Sequence, residues 1–141
     1  ALNAKAFRWL RPLISPREAS GVASSTWYVL AAVLAYGLFP IPVAVTSILV
    51  LALADPAASL VGRAWGRHKV GKGSVEGALA FFAVASVVIL LSPSPGPESW
   101  PWALGVAALV AAVEVTPFGL DDNLTVPLAT GAALQLVLVM G

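Results

Sequence analysis

Residues 42–63 read PVAVTSILVLALADPAASLVGR, an apolar stretch in which Asp55 is the first charged side chain. Placing a charged side chain at the centre of a membrane-spanning helix costs about 2.5 to 3.5 kcal/mol, and less near the interface. A carboxylate in such a position therefore has either a function or a structural partner. For Asp55 the alternatives are a ligand site and a buried ion pair with an arginine.

The composition of the whole chain indicates that its main solvent is lipid. Of the 141 residues, 59% are hydrophobic and 11% are charged, and the mean hydropathy is +0.89. Soluble domains are typically about 25% charged. The length fits one domain with several spans of about 20 residues each, and it leaves little room for a separate water-soluble domain. The absence of cysteine excludes disulfides and thiol catalysis.

Five apolar segments follow one another, separated by breaks that contain proline or glycine. Backbone polar groups must be paired inside a bilayer, so only helices or a closed barrel can cross it, and unalternating runs of Ala, Val and Leu favour helices. We therefore predict an all-α, polytopic integral membrane protein with one transmembrane helix for each segment. The predicted segments are approximately 22–38, 42–61, 76–91, 102–117 and 124–140.

The basic residues predict how these helices are oriented. Four of them precede the first segment and four lie between the second and the third, so five spans place both groups on one side. The positive-inside rule makes that side the cytoplasm, and Asp121 and Asp122 fall there too. The basic residues are Lys5, Arg8, Arg11, Arg17, Arg63, Arg67, Lys69 and Lys72.

Residues 1–20 differ from the rest because they combine four basic residues with interspersed apolar ones. This pattern favours an amphipathic helix that lies on anionic lipid; an irregular tail and the end of a longer helix are the alternatives. The sequence has no initiator methionine and no signal-peptide core, so we expect it to be part of a longer chain.

Asp55 lies beside small residues at helical spacing. That face can admit a ligand to the carboxylate, because the bulkier neighbours point elsewhere. The same small residues could instead serve close packing between helices. They are Ala58, Ser59, Gly62 and Gly66.

The segment 62–74, GRAWGRHKVGKGS, supplies four cations and four glycines. Glycine lets backbone N–H groups approach a phosphate, the cations neutralise it, and the start of the next helix adds unpaired donors, so we favour anion binding over an ordinary positive-inside loop.

Residues 66–72 fit the start of a soluble phosphate-binding loop, but Gly73 replaces its Ser or Thr and no strand precedes it, which excludes that fold. His68 is the one histidine, too few for a histidine-based metal site.

Two further acids lie at or within the apolar segments. Glu76 follows Ser74 at a predicted helix start, where the helix dipole favours a carboxylate even without another role. Glu114 is surrounded by apolar residues, so it must face protein, pair with a cation or stay protonated.

The acidic group Asp121-Asp122-Asn123 precedes the fifth segment. One of these residues could simply cap the helix, but two adjacent acids exceed what capping requires. Hard oxygen ligands beside a cationic loop suggest Mg²⁺ that also holds substrate phosphates, because Mg²⁺ uses one or two carboxylates and keeps several waters. The expected chemistry is phosphoryl or nucleotidyl transfer.

Three motifs in chain order carry a resemblance to a known family. They are LADPAASLVGR at 53–63 with the later Gly66, KGSVEG at 72–77 and DDNLTVPL at 121–128. Together they resemble the CTP-dependent lipid kinases, which include dolichol or polyprenol kinase, phytol kinase and CTP-dependent diacylglycerol kinase. These enzymes are related to the phosphatidate cytidylyltransferases. The resemblance covers roughly residues 17–141.

The resemblance implies a membrane enzyme whose active site faces the cytoplasm and which transfers the CTP γ-phosphate to a lipid alcohol with a divalent cation. Residues 21–141 would form the transmembrane catalytic domain, after a basic cytoplasmic segment at 1–20. Asp55, Asp121 and Asp122 would be the catalytic or metal-binding acids. The nucleotide-binding residues would be Ser59, Gly62, Arg63, Gly66, Lys72, Ser74, Glu76, Gly77 and Asn123.

The lipid-kinase interpretation has expected partners and two alternative activities. The expected partners are CTP, the lipid alcohol and membrane lipids, with room for a homodimer and no nucleic acid. A cytidylyltransferase would use the same CTP and metal ions but would form a CDP-lipid and pyrophosphate. A small transporter, with Asp55 and Glu114 as ion sites, leaves the glycine-rich cationic segment unexplained.

Overall fold

The computed structural model describes residues 24–93, 100–117 and 119–140, and its described part is all-α apart from one short hairpin, which confirms the all-α part of the predicted fold class. The amphipathic segment predicted at 1–20 lies outside the described residues. The helices are α1 (Ser24–Leu38), α2 (Ile41–Trp65), α3 (Val75–Leu91), α4 (Trp100–Val115) and α5 (Asp122–Met140), and the hairpin strands are β1 (Lys69–Val70) and β2 (Gly73–Ser74).

Four of the helices form a ring in which each contacts the next. Helix α2 packs most extensively on α3, α3 packs on α4, α4 on α5, and α5 closes the ring on α2. Helix α1 lies outside this ring against α5 and α2. The loops between α2 and α3 and between α4 and α5 therefore lie at the same end of the bundle.

Small side chains fill much of the core between the helices. Alanines are fully buried on α1, α2, α3 and α4, and Phe81 and Leu51 are the largest fully buried side chains. Buried hydroxyls donate to backbone carbonyls one turn earlier in the same helix, as Ser47 does to Val43 at 2.7 Å and Thr130 to Val126 at 2.7 Å. Their polar atoms are thus satisfied without water.

Helix α2 is longer than the sequence pattern predicted. We expected the second segment to end near residue 61 and a loop to begin at Gly62, but α2 continues to Trp65 and is capped by Gly66, whose N–H donates to the Gly62 carbonyl at 3.1 Å. The assignment of 62–65 to a loop was therefore wrong. Arg63 lies in the last turn of α2, where a basic side chain is favourable at the negative end of the helix dipole. The helix also accommodates Pro56, which removes one backbone donor directly after Asp55.

The β1–β2 hairpin was not predicted from the sequence. It pairs Lys69 with Ser74 and Val70 with Gly73 in antiparallel register. Gly71 turns the chain with a φ of 52°, a conformation that favours glycine. The N–H of Lys72 donates to the Val115 carbonyl at the end of α4, at 3.1 Å, which attaches the hairpin to the opposite loop.

By length and composition, α2 and α5 are long and apolar enough to cross a membrane, while α1, α3 and α4 are shorter apolar helices of 15 to 17 residues. Large apolar side chains on several helices remain exposed outside the bundle, among them Val33, Leu53, Leu79, Leu109 and Leu136.

Candidate functional site

A pocket of about 300 Å³ opens at the end of the bundle where the two loops meet. Helices α2 and α3, the hairpin, the end of α4 and the start of α5 all contribute to its wall. Its lining residues are Asp55, Ala58, Ser59, Gly62, Arg63, Lys69, Lys72, Gly73, Ser74, Gly77, Ala78, Glu114 and Asp122.

One face of α2 forms a wall of this pocket. Asp55, Ser59 and Gly62 lie on it at helical spacing, and Arg63 adds a cation from the last turn. Asp55 is half-buried and Ser59 is exposed. This is the face that the spacing of small residues predicted, although Gly66, at the end of the helix, does not line the pocket.

An ion pair joins the hairpin to the start of α5. The Nζ of Lys72 donates to Oδ1 of Asp122, and the two side chains are 31% and 29% exposed. Lys72 reaches this position from the hairpin, whereas Asp122 is the first residue of α5. A cation and a carboxylate from distant parts of the sequence thus share the pocket wall.

Asp121 and Asn123 lie beside the pocket without lining it. Oδ1 of Asp121 accepts from the backbone N–H of Asn123 at 3.0 Å and from its Nδ2 at 2.7 Å. The Asp121 carbonyl also accepts from the N–H groups of Leu124 and Thr125. In this structure Asp121 caps helix α5, which is the alternative that the sequence left open for one of the acids.

Ser74 and Gly77 bring α2 and α3 close together at the pocket floor. Ser74 is buried, and its Oγ accepts from the N–H of Gly77 at 3.1 Å, which caps the start of α3. A Cβ on Gly77 would lie 3.0 Å from the Ala58 carbonyl oxygen. The two helices approach each other through glycine, so the backbone itself forms part of the pocket wall.

Glu76 points away from the pocket, although it lies between two residues that line it. Its Oε1 accepts from Nδ1 of His68 at 2.8 Å, and its Oε2 accepts from the His68 backbone N–H at 3.3 Å. Glu76 is on the loop side of α3, before the apolar part of that helix.

Glu114 lines the pocket from the end of α4 and is half-buried there. The sequence predicted that this acid faces protein, pairs with a cation or stays protonated, but no motif placed it in the site. Ala58 was predicted on the small-residue face of α2, and Lys69 and Gly73 among the cations and glycines of segment 62–74, although none of the three was named as a nucleotide-binding residue. Ala78 was missed, because alanine carries no chemical signal and its position depends on helix packing.

The charges in the pocket balance, with the acids Asp55, Glu114 and Asp122 against the cations Arg63, Lys69 and Lys72. Across the described ranges of the chain, Arg63 and Lys69 form no ion pair and remain available to an anion. In those same ranges, no group of three or more acidic or histidine side chains is arranged to hold a metal ion.

Comparison with known proteins gives one relative by sequence. The chain is 28% identical over 147 aligned positions to a protein named CTP-dependent diacylglycerol kinase 1 from Schizosaccharomyces pombe, and the match covers 93% of this chain and 67% of the relative. No protein-family model and no solved structure matches the chain. The relative confirms the resemblance to CTP-dependent lipid kinases that the three motifs carry, and it does not favour a cytidylyltransferase.

Proposed function

We propose that this chain forms the core of an integral membrane enzyme that transfers the γ-phosphate of CTP to the hydroxyl group of a lipid alcohol. The observation that carries this proposal is the pocket itself, in which three cations face three carboxylates at one end of an apolar bundle. Diacylglycerol is the first substrate to test, because the relative is named for it. Polyprenol, dolichol and phytol are alternatives of the same class.

The membrane position is supported by the distribution of apolar and charged residues. All five described helices are apolar, and their exposed Leu and Val side chains suit contact with lipid chains. The charged residues of the described loops lie at the pocket end. With the positive-inside rule, that end faces the cytoplasm, where CTP is available, and a multi-pass chain carries the pocket at the membrane surface.

The cations of the pocket fit a triphosphate. Arg63 and Lys69 are free to contact phosphate oxygens, and Lys72 can exchange its contact with Asp122 for one with a phosphate. Ser74 and the first turn of α3 add hydroxyl and backbone donors nearby. Positioning and neutralisation of phosphate charge supply most of the rate in phosphoryl transfer.

The donor chemistry of the pocket also fits a divalent cation. Asp55 and Asp122 both line the pocket, and Mg²⁺ needs only one or two carboxylates when substrate phosphates and waters complete its shell. When bound, the ion would neutralise charge on the phosphates. Asp121 is outside this pair, because its side chain caps α5.

The carboxylates provide a place for the proton of the alcohol. In the proposed reaction Asp55 accepts the hydroxyl proton, the alcohol oxygen forms a bond to the γ-phosphorus, and the bond from that phosphorus to the β–γ bridging oxygen breaks. CDP leaves with the electron pair of that bond. The half-buried position of Asp55 in the pocket wall suits a hydroxyl that enters the pocket from the bilayer.

The experiment that tests this function uses purified protein in detergent or liposomes with CTP labelled at either the α- or the γ-phosphate. Kinase activity transfers the γ label to the lipid, whereas nucleotidyl transfer would transfer the α label. A panel of diacylglycerol, polyprenol and phytol identifies the alcohol. If neither label reaches any lipid, the enzyme proposal fails.

The same assay tests the site with matched variants. Asp55→Asn and Asp122→Asn keep the side-chain volume and remove the charge, so each should lower transfer by at least about a hundredfold. Val33→Ala, on the exposed face of α1, serves as the control and should retain full activity. Unchanged activity in both acid variants would contradict the site assignment.

A further inference from the structure

Glu76 is the residue of the KGSVEG motif whose placement differs most from its expected role. It is expected in the nucleotide site, yet its carboxylate does not line the pocket and both of its oxygens contact His68 instead. His68 lies directly before strand β1. The Glu76 carboxylate thus joins the first turn of α3 to the base of the β1–β2 hairpin.

The hairpin carries two of the three cations of the pocket. Lys69 is on β1 and Lys72 follows the Gly71 turn. At its base, the Val75 N–H donates to the His68 carbonyl at 2.9 Å, and near its tip the Lys72 N–H donates to the Val115 carbonyl at 3.1 Å. Besides these bonds, the ion pair of Lys72 with Asp122 also holds the hairpin, but residues 69–72 are exposed and offer little buried apolar surface.

We infer that Glu76 is a positioning residue that acts on phosphate binding through His68 and does not touch the nucleotide. The contact between Glu76 and His68 fixes the base of the hairpin, and the hairpin in turn holds Lys69 and Lys72 toward the phosphates. Without this contact, the hairpin base retains the backbone bond from Val75 and the pairing of Lys69 with Ser74, and the side chains of Lys69 and Lys72 sample a wider volume. This inference rests on the proposed function only in naming CTP as the anion that the cations bind.

A double-mutant cycle separates this role from direct contact. His68→Ala removes the side-chain bond and leaves the backbone bond to Oε2, so KM for CTP should rise about threefold. Glu76→Ala removes both bonds and should raise KM about tenfold, with a smaller change in kcat. The double variant should resemble Glu76→Ala within about twofold, because both substitutions break one contact.

Two further variants complete the cycle. Unlike Glu76→Ala, Glu76→Gln keeps one side-chain oxygen, which can still accept a hydrogen bond from His68. It should therefore recover most of the affinity for CTP that Glu76→Ala loses. Val75→Ala removes a neighbouring side chain that is 42% exposed and keeps the Val75 backbone bond, so it should behave like the unmodified chain. An unchanged KM for CTP in His68→Ala would overturn the inference. So would a double variant whose rise in KM equals the product of the rises in the two single variants.

A second measurement does not depend on enzyme activity. The sequence has no cysteine, so Val70→Cys introduces a single site for a spin label near the hairpin tip. Glu76→Ala in this background should increase the mobility of the label, and Glu76→Gln should restore its order. If Glu76→Ala increases the mobility of the label but the protein does not turn over CTP, the proposed function is contradicted and the positioning role stands. If the protein is active and Glu76→Ala changes neither the mobility of the label nor KM, the positioning role alone is contradicted.

Discussion

Lys72 donates to the carboxylate of Asp122 across fifty residues of sequence, and this contact joins the hairpin after α2 to the first residue of α5. Each partner neutralises the other. In the proposed function, a phosphate that enters the pocket must therefore compete with Asp122 for Lys72, and the pair holds the two opposite charges in place until CTP binds.

We predict that Lys72→Met lowers kcat/KM for CTP by about a hundredfold or more, because it removes a cation from the phosphates. Its thermal midpoint should change little, since an ion pair this accessible contributes about 0 to 1 kcal/mol. Transfer assays and thermal unfolding in the same detergent check both outcomes.

The reversed pair Lys72→Asp with Asp122→Lys provides the control for that prediction. It restores the attraction between the two positions but places the cation on α5 and the acid on the hairpin. Activity should remain low, because binding phosphate requires the cation at position 72. Recovery of activity in the reversed pair would mean that the contact is only structural.

Lys69 lines the pocket and forms no ion pair in the described part of the chain, so we predict that it contributes to CTP binding. Lys69→Ala should raise KM for CTP about fivefold and weaken its dependence on salt, with kcat nearly unchanged. The comparison variant is Arg67→Ala in the same loop, whose side chain does not line the pocket and whose loss should change KM less than twofold. Equal effects of the two substitutions would show that only the net charge of the loop matters.

Sequence patterns alone identified the helices and most of one pocket wall. Long apolar runs have few structural alternatives in lipid, so the five segments were recognisable from residue type. Asp55, Ser59 and Gly62 share a face because helical spacing is regular. The sequence also predicted that Lys72 and Asp122 lie on the same side of the helices, but it did not predict the ion pair between them.

The parts that sequence analysis missed depend on contacts between distant residues. The hairpin is held by the Val115 carbonyl and by the turn at Gly71, neither of which leaves a periodic pattern. The direction of the Glu76 side chain depends on His68, eight residues earlier. Asp121 caps α5 whereas Asp122 lines the pocket, and this difference depends on the residue at which α5 begins. Two adjacent acids in a sequence do not show which of them starts the helix.

Asp121 and Asp122 should separate in experiments because the structure gives them different contacts. We predict that Asp121→Asn retains both stability and activity, since Asn caps helices about as well as Asp. Asp121→Ala should lower the free energy of unfolding by about 1 kcal/mol. Thermal unfolding and CTP transfer measure the two effects. If Asp121→Asn abolished activity as fully as Asp122→Asn, Asp121 would be a catalytic or metal-binding acid, as the resemblance implies.

The close approach of α2 and α3 makes Gly77 the most sensitive small residue of the pocket floor. An added Cβ there would lie 3.0 Å from the Ala58 carbonyl oxygen and 3.2 Å from Ser74 Oγ. Because Ala58 belongs to the helix that carries Asp55, Gly77→Ala should push the acid away from the hairpin. We expect a loss of about 1 to 3 kcal/mol in stability, together with lower activity.

Gly105→Ala is the matched test of this argument, because Gly105 also lies in an apolar helix but an added Cβ there meets nothing within 4 Å. Alanine is the better helix former by about 1 kcal/mol, so Gly105→Ala should leave stability unchanged or raise it. Thermal midpoints of the two variants should therefore move in opposite directions. Equal shifts would mean that helix propensity determines the effect, and that the pocket floor tolerates a side chain between α2 and α3.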